Sequence, residues 1–360
     1  MATSISDLYA LFRRHPHVST DTRRIEPGSI FFALRGATFD GNRFVNEALA
    51  KGAAWAVADD PAAAGTDARV LVVDDTLRTL QELARTHRRT LGIPILAVAG
   101  SNGKTTTKEL TSRVLGSRFV LHATRGNLNN HIGVPLTLLA MTPDTEFGIV
   151  EMGASACGEI AGLVSIAEPD YGILTNIGRA HLEGFGGPEG VRRGKGELFD
   201  YLAAHGGLAF VPEEDAILVA MAAERPSLCV ERYSRTLADN IPSHLEGEYN
   251  RYNIAAAAAI GRHFGISDAD IRRAVAGYIP DNNRSQRTET RRNTLIVDCY
   301  NANPSSMRAS VANFLNEGLG CRTRRLLILG DMLELGEWSC GEHAAIIRQA
   351  TQDPKAEVWL

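Results

Sequence analysis

The chain has little with which to cross-link itself or span a bilayer. Its five cysteines (Cys157, Cys229, Cys299, Cys321 and Cys340) are scattered, with no C-x-x-C pair among 360 residues. That spacing excludes a disulfide frame and a thiolate zinc site, and fits reduced thiols in the cytoplasm. No stretch approaches ~18 uninterrupted apolar residues, and the N-terminus lacks the apolar core of a signal peptide, so neither a membrane span nor secretion is expected. Basic blocks are missing too. The formal net charge is −4, and Arg292, Arg322, Arg324 and Arg325 form only short clusters that read as solvated surface. A nucleic-acid partner is therefore not expected. Internal repeats and low-complexity linkers are absent. What remains is an apolar content of 44%, ordinary for a globular core, and length enough for about two or three domains.

Against this background one segment stands out. Ala97-Val98-Ala99 is followed by Gly100-Ser101-Asn102-Gly103-Lys104-Thr105-Thr106, and a helix is predicted over 107–114. Glycines at a tight turn let backbone N–H groups face anionic oxygens, and the start of a helix adds partial positive charge. Lys104 can reach the β- and γ-phosphates of a nucleotide, and the Thr105 hydroxyl can ligate Mg²⁺. The motif G-x-x-x-x-G-K-[ST] is incomplete, because Val98 stands where its first glycine belongs. An ordinary strand–turn–helix is the competing reading, but strand, turn and helix in this order are the context the motif requires.

Three blocks follow from the pattern. The first, 1–91, alternates helices (6–13, 44–51, 76–90) with strands (29–34, 54–58, 70–73), as in a small α/β domain. The second, 92–281, has buried-strand candidates at 95–99, 147–151, 171–176 and 208–211, with helical patterns between them and helices at 253–264 and 267–276. Such strands form a mostly parallel sheet whose carboxyl edge gathers ligands. The third, 282–360, has strands at 295–298, 326–329 and 357–360, with helices from Ser305 and over 342–351. A doubly wound domain does not normally end on its third strand, so this block is expected to be incomplete.

Further polar groups fall at the same sheet edge. Glu151, before Met152-Gly153, closes a strand and can bind Mg²⁺ directly or through water, or simply be a solvated charge. His181 lies in a polar, glycine-flanked loop spanning 176–186 and reads as a metal or substrate contact, against a structural role. Lys195 opens a helix. It is a phosphate partner, a carbamylated metal ligand, or a helix-surface lysine. Asn127 and Asn130, ahead of His131-Ile132-Gly133-Val134-Pro135, suit hydrogen bonding to a polar ligand or a plain turn.

In order along the chain, Gly100–Thr106, Glu151-Met152-Gly153, residues 176–186, Asn250-x-x-Asn253, Arg284, Asp298-Cys299-Tyr300-Asn301-Ala302-Asn303-Pro304 and Gly330-Asp331-Met332-Leu333-Glu334-Leu335-Gly336-Glu337 resemble the Mur ligase family, which adds amino acids to the peptidoglycan precursor. The two last motifs look like the branch that adds D-alanyl-D-alanine. The N-terminal Ser19-Thr20-Asp21-Thr22-Arg23, residues 27–36 and Phe39-Asp40-Gly41 look like its UDP-sugar domain. Histidine is common in the family where Asn42 and Tyr249 stand, and a second aspartate where Val297 stands.

The resemblance implies an α/β, three-domain architecture: a UDP-sugar domain, a central P-loop parallel-sheet ATPase domain and an incomplete Rossmann-like C-terminal domain. It implies an ATP-dependent ligase with Mg²⁺, acting in the cytoplasm on UDP-N-acetylmuramoyl-tripeptide and D-alanyl-D-alanine, and expected to be monomeric. Gly100, Ser101, Asn102, Gly103, Lys104, Thr105 and Thr106 would hold the ATP phosphates. Thr105 and Glu151 would serve one Mg²⁺, and His181 with a carbamylated Lys195 a second. Asn250 and Asn253 would lie near adenine, Arg284 near the γ-phosphate, and Asp298 and Asn301 on the ribose side. Thr20, Asp21, Thr22, Arg23, Asp40 and Gly41 would line the uridine site, with Asn127 and Asn130 as further substrate contacts. Lys104, His181, Lys195 and Arg284 would be catalytic.

Joining a carboxylate to an amine in water is uphill, and an acyl phosphate made from ATP would overcome this. A related ligase is the nearest alternative: a diaminopimelate- or lysine-adding Mur ligase, or a folylpolyglutamate synthetase. The Asp-Asn-Pro-Arg motif of the diaminopimelate-adding branch is absent, since the chain reads Asp281-Asn282-Asn283-Arg284. A truncated form that binds nucleotides without catalysis is the alternative from another class. An assay of amine acceptors separates the ligases, and release of phosphate on mixing all three substrates separates an enzyme from the non-catalytic form.

Overall fold

The computed structural model describes residues 3–280, 283–316 and 324–360. Cys321, Arg322 and the expected 281/282 block boundary lie outside the described residues. The first block contributes strands β1 (Val18–Ser19), β2 (Ile30–Phe32), β3 (Trp55–Ala58) and β4 (Val70–Val72). The second contributes β5 (Ile95–Ala99), β6 (Leu121–Ala123), β7 (Phe147–Glu151), β8 (Tyr171–Leu174), β9 (Leu208–Pro212) and β10 (Cys229–Tyr233). The third contributes β11 (Gln286–Glu289), β12 (Thr294–Val297), β13 (Arg325–Ile328) and β14 (Ala356–Trp359).

The chain divides into two compact units. One comprises Met1–Ile95, Val120–Val150 and Gly162–Pro169. Within it, β1-β2-β3-β4 form a parallel sheet in sequence order, and β6 pairs with β7 in parallel. Sequential parallel pairing requires crossovers, and the helix Val45–Ala50 provides one by packing on β3. Phe31, Ala33, Val45, Ala48 and Ala56 form its buried core. The helix Thr76–Leu91 starts at an Asp75 cap, ends at left-handed Gly92 and packs against helices Ile5–Phe12 and Gly133–Leu139.

The other unit comprises Leu96–Phe119, Glu151–Ala161 and Asp170–Leu360. Its parallel strands run β10-β9-β8-β5. Every residue of β5 is buried, as are three of the four in β8, which is why these strands read as continuous apolar runs rather than as alternation. The helix after the phosphate loop begins at Lys104, three residues before the predicted start, and runs to Leu115. It packs against helix Glu248–His263, whose run of buried alanines allows close approach. β11 and β12 form an antiparallel hairpin, while β13 and β14 pair in parallel. Strands β1, β6, β10 and β11 add to the sequence reading. The observed helix Ser339–Ala350 begins three residues ahead of the expected one.

Candidate active site

The sharp turn from β5 into helix Lys104–Leu115 builds the site. Gly100 (φ +129°) and Gly103 (φ +78°) adopt backbone conformations that side chains disfavour. A Cβ on Gly100 would lie 2.2 Å from Thr175 Oγ1, and one on Gly103 would lie 2.6 Å from Asn253 Oδ1. The loop between them is braced from β8's carboxyl end. Ser101 N–H donates to Asn176 O at 3.0 Å, and Asn102 N–H to Asn176 Oδ1 at 3.1 Å. Asn176 Nδ2 and Thr175 Oγ1 both donate to Asn102 O, at 3.0 and 2.5 Å. Asn176 thus fixes the loop from outside it.

Lys104 is half-buried at the helix start, and its ammonium donates to the loop's own carbonyls, Gly100 O at 2.9 Å and Ser101 O at 3.0 Å. Burial pushes its pKa below the ordinary lysine value. The Glu151 carboxylate opposes that shift and the Arg284 charge adds to it. Thr105 Oγ1 donates to Glu151 Oε1 at 3.3 Å, and both side chains are buried. Glu151 is held at β7's carboxyl end by Met152 N–H, which donates to Val98 O at 2.9 Å. One turn beyond Lys104, Lys108 is 1% exposed, with its ammonium 2.9 Å from Glu109 Oε1 and 3.9 Å from Glu151 Oε2.

Lys195 lies within helix Pro188–His205, whose start at Pro188 precedes it by two turns, so it does not open the helix as expected, and it is buried rather than on the helix surface. Its ammonium donates to Ala154 O at 2.8 Å and sits 5.0 Å from the Phe185 ring centroid. Burial first, and the Lys104 charge second, push its pKa down to about 7 against the pull of Glu159 and Glu197. His181 has a left-handed backbone (φ +54°), and its Nδ1 meets Glu334. Glu183 N–H donates to Glu334 O at 3.1 Å, so the 176–186 loop is tied to the Gly330–Glu337 motif at two points.

Asn250 and Asn253 lie one turn apart on helix Glu248–His263 and face the phosphate-loop helix. Asn253 Nδ2 donates to Asn250 Oδ1 at 2.9 Å, and Thr107 Oγ1 donates to Asn253 Oδ1 at 3.1 Å. The Arg284 guanidinium lies 3.9 Å from the Tyr300 ring centroid. Asp298 accepts from Ser285 N–H and Ser310 Oγ, at 3.3 and 3.0 Å, and Asn301 is exposed. Asn303 Nδ2 donates to Asn102 Oδ1 at 2.6 Å while Asn303 Oδ1 caps the helix Pro304–Asn316. The unit therefore brings Lys104, Thr105, Glu151, Lys195 and Arg284 into one electrostatic neighbourhood, while His181 turns to Glu334. Among the described residues no three His, Cys, Asp or Glu side chains gather to hold an ion. Lys108 and Glu342 lie outside the motifs legible in the sequence. Glu342 is ion-paired with Arg179, Nε to Oε1 at 2.6 Å, and accepts from Arg308 Nη2 at 2.5 Å. For Lys108 a signal exists, its i+4 spacing from Lys104; for Glu342 the partners lie too far along the chain.

In the first unit Asp21 accepts from Arg23 N–H and pairs with the Arg23 guanidinium, which lowers its carboxyl to about 2. Asp40 caps the turn Gly41–Phe44 by accepting from Asn42 N–H. Thr20 and Thr22 are half-buried, and Thr22 O accepts from Lys51. Asn127 and Asn130 are exposed, and Asn130 Oδ1 accepts from Ile132 and Gly133 N–H.

A phosphate loop, a hydroxyl–carboxylate pair and a buried low-pKa lysine at one parallel-sheet edge fit the ligase class already suggested by the motifs, and the chain belongs to the Mur ligase family. Residues 98–241 match the Mur ligase middle domain, 16–88 the Mur ligase family catalytic domain, and 283–360 the Mur ligase glutamate ligase domain. Among its relatives, the UDP-N-acetylmuramoyl-tripeptide–D-alanyl-D-alanine ligase of Bacillus subtilis (strain 168) is 36% identical, covering 89% of this chain and 74% of that protein. The enzyme of the same name from Escherichia coli (strain K12) is 35% identical, covering 91% and 77%. Among solved structures, MurF from Acinetobacter baumannii aligns with a TM-score of 0.84 at 29% identity, covering 95% of this chain and 84% of that one. MurF ligase from Thermotoga maritima in complex with ADP aligns with a TM-score of 0.84 at 26% identity, covering 97% and 84%.

Proposed function

We propose that this chain is an ATP-dependent amide ligase that joins D-alanyl-D-alanine to UDP-N-acetylmuramoyl-tripeptide in peptidoglycan synthesis. The observation that carries the reading is the Gly100–Thr106 turn, with Lys104 poised over it and the Thr105–Glu151 pair beside it. In the reaction, a tripeptide carboxylate oxygen attacks the γ-phosphorus of ATP and the bond to the β–γ bridging oxygen breaks. The dipeptide amine then attacks the acyl carbon, phosphate leaves and the amine gives up a proton. Anionic groups meet at each step, so positive charge is what the site must supply. Lys104 would leave the loop carbonyls for the phosphates, and Arg284 would face the γ-phosphate. The loop N–H groups and helix start would hold the remaining oxygens.

Thr105 and Glu151 are hard oxygen donors of the kind Mg²⁺ takes, and they would hold it against the nucleotide. The ion would polarise the transferring phosphoryl group. His181 and Lys195 would serve a second ion. For Lys195 this requires carbamylation: the neutral amine adds to CO₂, an N–C bond forms and a proton is lost to water. A lysine titrating at about 7 supplies that neutral amine at physiological pH.

Asn250 and Asn253 would flank adenine, with Asp298 and Asn301 on the ribose side. Thr20, Asp21, Thr22, Arg23, Asp40 and Gly41 would take the uridine nucleotide, and Asn127 and Asn130 further parts of that substrate. The corresponding domains would be 1–91 for the UDP-sugar, 92–281 for ATP and 282–360 for the dipeptide side, in a cytoplasmic monomer. The test is phosphate release on mixing ATP, Mg²⁺, UDP-N-acetylmuramoyl-tripeptide and D-alanyl-D-alanine, with each omitted in turn. Release that ignores omission of the dipeptide would refute amide ligation, and calorimetry without Mg²⁺-dependent uptake of ATP would refute the nucleotide site.

A further inference from the structure

One carboxylate of the first unit ties several separate segments together. Asp59 follows β3 at the carboxyl edge of the β1–β4 sheet, and its side chain is 13% exposed. A carboxylate so withdrawn from water needs donors on its oxygens. Three other segments supply them. Oδ1 accepts from Arg35 Nε and from Asn42 Nδ2, each at 2.8 Å. Oδ2 lies 3.2 Å from Thr76 Oγ1, at the start of helix Thr76–Leu91, a hydroxyl whose one proton is shared with Ala33 O, also at 3.2 Å. Asp59 N–H donates back to Asn42 Oδ1 at 3.2 Å, so both ends of that amide are committed and its orientation is fixed.

These contacts close the loop 35–42. Arg35 leaves β2 and Asn42 returns, and the two meet on one carboxylate oxygen. Inside the loop, Gly36 N–H donates to Phe39 O at 2.9 Å and Gly41 N–H to Leu34 O at 2.9 Å. Asn42 Nδ2 reaches on to Asp40 Oδ1 at 2.8 Å. The set runs Thr76–Asp59–Asn42–Asp40, from the buried sheet edge out to the loop.

We propose that Asp59 is the positioning residue of this loop: it clasps Arg35 and Asn42 so that Asp40 and Gly41 are held ready for a uridine nucleotide. The inference rests on the uridine-site reading above. Asp59 acts through its partners, by sparing the loop an ordering cost at the moment of binding.

Calorimetry on the full chain, with UDP as probe and Mg²⁺–ATP as internal reference, tests it. Asp59→Ala is expected to weaken UDP uptake about tenfold or more while ATP uptake stays within about twofold; Asp59→Asn, which keeps one acceptor, falls between. Amide hydrogen exchange at Gly36, Gly41 and Asn42 is expected to quicken in Asp59→Ala, with β3 unchanged. UDP affinity unaltered in Asp59→Ala, unaltered loop exchange, or ATP affinity falling in parallel each overturn the role of Asp59 alone. A wild-type chain that takes up no UDP overturns the uridine reading itself, and this inference with it.

Discussion

Lys104 and Lys195 show how one neighbourhood gives two lysines different surroundings. Both have their pKa lowered chiefly by burial, and each lies within the other's field or that of Arg284. Lys104 keeps its ammonium on the loop's own carbonyls, and on the proposed reading an arriving phosphate would restore the charged form. Lys104→Ala is expected to lower ATP-dependent phosphate release by about 10²–10³-fold, while UDP affinity of the first unit stays within about twofold. Equal loss of both, read by calorimetry, would indicate misfolding rather than a lost phosphate contact. Lys195 has a carbonyl and an aromatic ring for company and titrates at about 7, the condition for addition to CO₂. Bicarbonate is therefore expected to stimulate the wild-type chain and to leave Lys195→Ala unmoved, as followed by phosphate release. A ¹³C carbamate resonance should appear only when Lys195 is present. Lys104, Thr105 and Glu151 were legible because each follows from a local rule: loop, helix start or strand end. The burial of Lys195 was not, since it depends on Ala154 and Phe185, which lie 41 and ten residues away along the chain.

At the scale of elements, legibility followed burial. β5 and β7 fall where expected, because unbroken apolar runs between turn residues admit few other readings. β10 reads Cys-Val-Glu-Arg-Tyr with only Tyr233 buried; an edge strand of that kind carries little hydrophobic signal. The helix start at Lys104 is hidden by Thr105-Thr106-Thr107, β-branched residues with low helix propensity. Packing against helix Glu248–His263 overrides that preference.

Helix Thr76–Leu91 carries a pH-sensitive contact. His87 is buried, its Nε2–H donates to Met141 O at 2.9 Å, and its Nδ1 accepts from Tyr9 OH at 3.2 Å. A carbonyl only accepts, so Nε2 keeps its proton in either charge state and this bond by itself favours the charged ring, against which burial acts. Burial holds the pKa below the ordinary 6.5. As pH falls through 6.5 the unfolded chain takes up a proton that the folded one refuses, so stability drops in that window until the folded value is passed. His87→Gln is expected to cost about 1 kcal/mol at neutral pH through the altered contacts and to flatten the decline as pH falls below about 6.5. Urea midpoints across that range test it; parallel slopes in both proteins would count against His87. A local cap gives an independent check. Ser267 Oγ accepts from Asp270 N–H at the start of helix Asp268–Ala276, and Ser267→Ala is expected to cost about 1 kcal/mol at any pH in this range.

At the scale of the whole molecule, the chemistry is divided between the two nucleotides and the amine. An acyl phosphate is a useful intermediate only if water is kept from it until the amine arrives. The acylating half-reaction needs ATP and the UDP-tripeptide; the second half needs D-alanyl-D-alanine alone. With the dipeptide withheld, ADP is expected to form to no more than the amount of enzyme present and then stop. Added dipeptide should restore steady turnover. Quenched-flow measurement of ADP, with hydroxylamine trapping of the activated carboxylate, separates the outcomes. Steady ADP formation without an amine would mean that the site activates water and is a nucleotide hydrolase. A complete absence of ADP until the dipeptide binds would mean that the amine is required to assemble the site. A stoichiometric burst is the result that requires Lys104, Arg284 and the Thr105–Glu151 pair to act before the amine does, and it would establish the order of the two half-reactions.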